Sequence, residues 1–96
     1  MKAELFIAKY QGQDTSKRIK KEYTGYGSTE MEALTNLFWE MMDDSRSHFK
    51  VAVDEDEDHG YEAYFGENST PPTKEELIDL IVNHAEYYGD ITISKE

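Results

Sequence analysis

From residue 3 to residue 10 the chain alternates, with Ala3, Leu5 and Ile7 on one face of an extended strand and Phe6, Ala8 and Tyr10 on the other. Apolar groups on both faces predict a covered, central strand. The run Gln11 to Ser16 is turn chemistry, and Arg18 to Thr24 reads as a second strand with Ile19 and Tyr23 inward. Together they predict a hairpin whose outer face carries Lys17, Arg18, Lys20 and Lys21. Gly25-Tyr26-Gly27 ends that strand. Thr29, with Glu32 three residues on, predicts a capping box, and Leu34, Leu37, Phe38 and Met41 follow at helical spacing, flanked by Met31 and Met42. Trp39 falls about 100° from Phe38 on that helix, on the flank of the apolar stripe.

Beyond Asp43-Asp44-Ser45-Arg46-Ser47 the alternation resumes. Phe49, Val51 and Val53 predict a third strand, and Tyr61, Ala63 and Phe65 a fourth, paired as a hairpin with an acidic tip. Glu67 to Pro72 reads as a loop. Thr73 and Glu76 repeat the capping box ahead of a second helix, whose buried stripe is Leu77, Ile78, Ile81, Ala85 and Tyr88 and whose stop is Gly89. Ile91 and Ile93 close the chain as a short strand. The expected fold is α+β in the order ββαββαβ, with two helices packed on one face of a largely antiparallel sheet and the other face partly open. Residues 1–96 are expected to form a single domain.

Charge changes this picture more than composition does. Residues 1–29 hold six basic and three acidic side chains, whereas residues 30–96 hold four and eighteen. The net charge is −11. Free nucleic acid and anionic membrane are therefore unfavourable partners, because a binder of either normally presents a basic face. Hydrophobic residues make up only 38% of the chain, yet one Trp, seven Tyr and four Phe in periodic segments argue for folding. The chain has no cysteine, which excludes disulfides and thiolate metal sites and makes a cytoplasmic setting the expectation. Its first ten residues are too short and too charged for a signal peptide or a membrane span.

The densest chemistry is Asp54-Glu55-Asp56-Glu57-Asp58. Asp54, Asp56 and Asp58 match the first, third and fifth positions of a calcium loop, but His59 stands where glycine is needed and Phe65 where a bidentate glutamate is needed. His48, His59 and His84 lack zinc-ligand spacing, no serine sits in a nucleophile elbow, and Gly25-Tyr26-Gly27 lacks the third glycine and following lysine of a phosphate loop. No catalytic residue, metal or cofactor is expected. An extended acidic run rises about 3.3 Å per residue, close to the charge spacing of one DNA strand, and so imitates a phosphate backbone. Nearby aromatics would add contact area. The candidate partner-binding residues are thus Trp39, Glu40, Asp43, Asp44, Asp54, Glu55, Asp56, Glu57, Asp58, Tyr61, Glu62 and Tyr64, with Tyr64 expected on the solvent side, opposite Tyr61 and Phe65.

Two resemblances accompany these residues. Gly-Tyr-Gly-Ser-Thr-Glu-Met-Glu-Ala-Leu at 25–34 resembles the strand-to-helix junction of double-stranded-RNA-binding-like domains, including HicB-type antitoxins, over ten residues. In size, acidity and tyrosine content the whole chain resembles small phage-encoded antagonists of host defence, such as anti-CRISPR proteins and DNA mimics. That likeness implies a non-enzymatic inhibitor in the host cytoplasm that occupies the nucleic-acid site of a basic partner protein. The alternative is a structural, regulatory or antitoxin-like accessory domain whose acidity serves solubility. The opposed charges of the two ends also favour self-association, including a homodimer.

Overall fold

The structure is a computed structural model that describes residues 4–14, 18–67, 69–87 and 89–96, with the backbone alone for Asp14 and Ile19. Strands β1 (Phe6–Asp14) and β2 (Ile19–Gly27) are followed by helices α1 (Glu30–Met42), α2 (Phe49–Glu55), α3 (Tyr61–Phe65) and α4 (Lys74–His84), and then by strand β3 (Gly89–Lys95). The sheet has the order β2-β1-β3 and both pairings are antiparallel. It is an α+β fold in which β1, the strand with apolar groups on both faces, is central.

Register explains which face is covered. Ala8 pairs with Gly25 and Ile93, and Tyr10 with Tyr23 and Ile91, so these residues share one face. Ala8 and Tyr10 are fully buried there, beneath Leu34, Leu37 and Phe38 of α1 and Leu77 and Ile81 of α4. Of the residues of the other parity, Gln11, Glu22, Tyr26, Asp90 and Thr92 are exposed and Ile7, Lys9 and Thr24 are partly so. Helix α1 lies directly against β2, and glycine makes that approach possible. A Cβ on Gly25 would come 2.2 Å from the Leu37 nitrogen, and one on Gly27 would come 2.5 Å from the Ala33 nitrogen. The 25–34 phrase is therefore a close-packing device between a strand and a helix.

The caps of both long helices form, with one difference. At α4, Thr73 Oγ1 accepts from the Glu76 N–H at 3.2 Å and the Glu76 carboxylate accepts from the Thr73 N–H at 3.0 Å, a closed box. At α1, Thr29 Oγ1 accepts from the Glu32 N–H, but the Glu32 carboxylate turns to the N–H and hydroxyl of Ser28. Helix α4 ends at His84, four residues short of the glycine expected to stop it, and Gly89 instead opens β3. Leu80, outside the expected stripe, is buried with Leu77 and Ile81.

The principal correction concerns residues 49–65, which form α2 and α3 rather than two strands. Three apolar residues at i, i+2 and i+4 fit a strand, but the outer two also fit one turn of a helix. Phe49 and Val53 are buried and Val51 is 43% exposed, as a helix requires and a one-faced strand forbids. Tyr61, Tyr64 and Phe65 likewise fall at i, i+3 and i+4 and all pack on the core. The sheet thus has three strands, and four helices among the described residues replace the expected two. Lys21 is also corrected. It pairs with Gly12 and so shares the covered face with Tyr23, reaching Asp44 at 3.9 Å from the sheet margin, whereas Lys20 has the opposite parity. Strand β1 runs to Asp14, so the expected turn begins later than Gln11. The expectations for Ala3, Lys17 and Tyr88, and for the Ile19 side chain, lie outside the described residues.

Candidate acidic and aromatic surface

An aromatic cluster assembles the region of interest. Phe38 on α1 meets Phe49 of α2 edge-on at 5.8 Å and stacks on Phe65 of α3 at 5.2 Å. Trp39, the next residue on α1, lies edge-on to Tyr61 at 6.0 Å, and Tyr61 stacks on Phe65 at 5.5 Å. Such pairs contribute roughly 0.5–1.5 kcal/mol each beyond the area they bury. They hold the five-residue helix α3, too short to be stable alone, against α1. Trp39 sits at the rim of this cluster, 39% exposed.

The acids are distributed along helix ends. Glu40 occupies the last turn of α1 and Asp43 is its C-cap. Asp54 and Glu55 occupy the last turn of α2, and Asp56 is its C-cap. Neither helix has a basic residue in its last turn. Negative charge at a helix C-terminus opposes the macrodipole, at a cost of about 0.3–1 kcal/mol per group. Glu57 and Asp58 continue into the turn before α3, which closes on Gly60, where a Cβ would stand 2.0 Å from the Val53 carbonyl oxygen. The acidic run is therefore a helix end and a tight turn. It is not the extended strand on which a DNA-like charge spacing was expected.

Several of the candidate acids are engaged inside the chain. Asp56 Oδ1 accepts from the His59 N–H at 3.0 Å, and Asp56 Oδ2 lies 2.8 Å from His84 Nε2. The His84 contact, followed by the His59 N–H, holds the Asp56 carboxyl below the usual carboxylate range. Asp54 pairs with Lys50 one turn earlier. Asp44 accepts from the Tyr23 hydroxyl and from the Arg46 N–H at 3.1 Å, which lower its pKa. Burial, then the bond to Asp44, pushes the Tyr23 hydroxyl up to about 12. Glu40, Asp43, Glu55, Glu57, Asp58 and Glu62 are exposed and make no ion pair among the described residues.

The aromatic candidates are corrected in one respect. Tyr64, expected to face solvent opposite Tyr61 and Phe65, is partly buried against the core because α3 is helical. Tyr61 is also partly buried, stacked on Phe65 and edge-on to Trp39. The exposed aromatic that sequence reasoning missed is Tyr26, 54% exposed on the outer face of β2. Its position between Gly25 and Gly27 was the available signal: with its two neighbours turned under α1, the side chain between them must point outward. Tyr26, Thr24 and Gly25 of β2 and Asn36, Trp39 and Glu40 of α1 line one open groove of about 270 Å³.

Among the described residues no group of three histidine or acidic side chains is placed to hold a metal ion, and no helix is long and apolar enough to cross a membrane. No family model, curated protein or solved structure matches the chain.

Proposed function

We propose that this protein is a non-enzymatic binding module that docks its acidic, Trp39-bearing surface on a basic site of a partner protein and excludes nucleic acid from that site. One observation carries this reading. Acids stand at the C-termini of both α1 and α2, against the dipole of each helix and without a basic residue in either last turn. Asp54 and Asp56 are offset within the chain by Lys50 and His84, but Glu40, Asp43 and Glu55 make no ion pair among the described residues, and their locally unfavourable placement is relieved by a cationic partner. Glu40, Asp43, Glu55, Glu57, Asp58 and Glu62 supply exposed charge, which speeds association and makes it salt-dependent, and the rim of the Trp39–Tyr61 pair supplies contact area. Asp44, Asp54 and Asp56 act within the chain, so they position the surface rather than touch the partner.

That same internal engagement favours a second reading, an accessory or antitoxin-like interaction domain in which the acids serve folding and solubility. Replacing Glu55, Glu57 and Asp58 together by Gln, Gln and Asn separates the two, because none of them forms an ion pair among the described residues. Pull-down from nuclease-treated lysate at low and moderate salt, with duplex DNA as competitor, is the measurement. The first reading expects a basic nucleic-acid-binding protein that is displaced by DNA or salt and lost with the triple substitution. Retention of the same partners by the triple variant supports the accessory domain.

A further inference from the structure

The groove at the free edge of β2 has a composition suited to one kind of side chain. Its walls carry Tyr26 and Trp39, 54% and 39% exposed, and Glu40, an exposed carboxylate without an ion pair among the described residues. Asn36 Nδ2 donates to the Tyr26 carbonyl at 2.5 Å, which satisfies an outward-facing acceptor of the edge strand and ties Tyr26 to α1. The floor includes Gly25, whose missing side chain lets β2 and α1 meet backbone to backbone. Tyr26 from the strand edge and Trp39 and the Glu40 carboxylate from the side of α1 line a space of about 270 Å³, below the roughly 300–1,000 Å³ typical of small-molecule sites. That is a space for a single long side chain.

We propose that this groove receives an arginine side chain of the partner protein. A guanidinium is planar, stacks on aromatic faces, and offers a fork of N–H donors that a carboxylate such as Glu40 accepts in pairs. The chain's net charge of −11 attracts such a group from a distance. The groove deepens the docking reading above by naming what the partner inserts, and rests on that reading for the partner's existence.

Trp39 is the only tryptophan, so its fluorescence reports on this groove without a label. The first probe is acetyl-Gly-Arg-Gly-amide, compared with its citrulline and lysine counterparts at equal ionic strength. A saturable change with the arginine peptide alone is expected, weakened about three- to tenfold by Glu40→Gln and by Tyr26→Ala. Circular dichroism checks the fold of each variant, and Glu40→Gln, on an exposed helix surface, carries the test if Tyr26→Ala is unstable. A response to citrulline or lysine as large as that to arginine, or no effect of Glu40→Gln, overturns the proposal. Capture of a basic partner that is lost on neutralising Glu55, Glu57 and Asp58, but unaffected by Glu40→Gln, also overturns the groove and leaves the docking reading standing. An arginine-specific response without any captured basic protein does the reverse.

Discussion

His84 of α4 and Asp56 at the end of α2 are joined by a 2.8 Å contact across 28 residues of sequence, with the His84 side chain 9% exposed. The other ring nitrogen, Nδ1, lies 2.7 Å from the Leu80 carbonyl oxygen. Both neighbours are acceptors, so both contacts are hydrogen bonds only when each ring nitrogen carries a proton. This pair anchors the acidic turn to the helix layer. His84→Leu and Asp56→Asn should each lower the melting temperature, and the double variant should fall little below the worse single one, because either change removes the same contact. The folded-state pKa of Asp56 is lowered, so its contribution is present above the ordinary carboxylate pKa of about 3.9 and is lost as pH falls through the lowered value. Thermal melts of the wild type and Asp56→Asn should therefore stay apart at about pH 5, begin to approach each other below about pH 4, and coincide only at pH below the lowered Asp56 value.

Tyr23 and Asp44 make the opposite kind of pH dependence. The Tyr23 hydroxyl donates to Asp44, and its pKa is raised to about 12. A raised folded pKa means that this contribution is complete below the unfolded tyrosine value of about 10 and disappears as pH rises from there to about 12. Tyr23→Phe should cost about 1 kcal/mol at neutral pH in urea melts, with the difference from wild type vanishing in strong alkali. Ultraviolet titration should show one late tyrosinate signal disappear in the variant.

Gly25→Ala tests the strand-to-helix approach. The added methyl would sit 2.2 Å from the Leu37 nitrogen and 2.4 Å from the Ala33 carbonyl oxygen, both main-chain atoms that a rotamer change cannot move. A loss of about 3 kcal/mol, or failure to fold, is expected from denaturant titration. A variant as stable as wild type would mean that α1 does not lie on β2 at this distance.

The two caps should respond differently to paired substitution. At α4, Thr73 and Glu76 satisfy each other, so Thr73→Ala costs about 1 kcal/mol and the Thr73→Ala/Glu76→Ala pair is non-additive. At α1, Glu32 bonds Ser28 instead of Thr29, so the loss of its side chain should add more nearly to that of Thr29. Double-mutant cycles measured by thermal unfolding decide this.

Phe38 and Phe49 show where sequence stops and tertiary structure begins. The N-caps at Thr29 and Thr73, the stripe of α1, the Leu77 and Ile81 positions of α4, and the first two strands and the last were legible because each depends on neighbours three, four or two residues away. The acidic excess was equally plain, being a count. Helices α2 and α3 were not legible, since seven and five residues are too few to separate alternation from helical spacing. Contacts to Phe38 from Phe49 and Phe65, across 11 and 27 residues of sequence, settle that choice. The same choice turns the acids from an extended run into helix ends and a turn, turns Tyr64 toward the core, and leaves Trp39 at the rim beside Tyr61. Tyr26 gains its groove only because two glycines let α1 down onto β2. Local spacing and charge specify the elements and the sign of the surface, but short-element conformation and side-chain juxtaposition are decided by packing energy summed across the whole core.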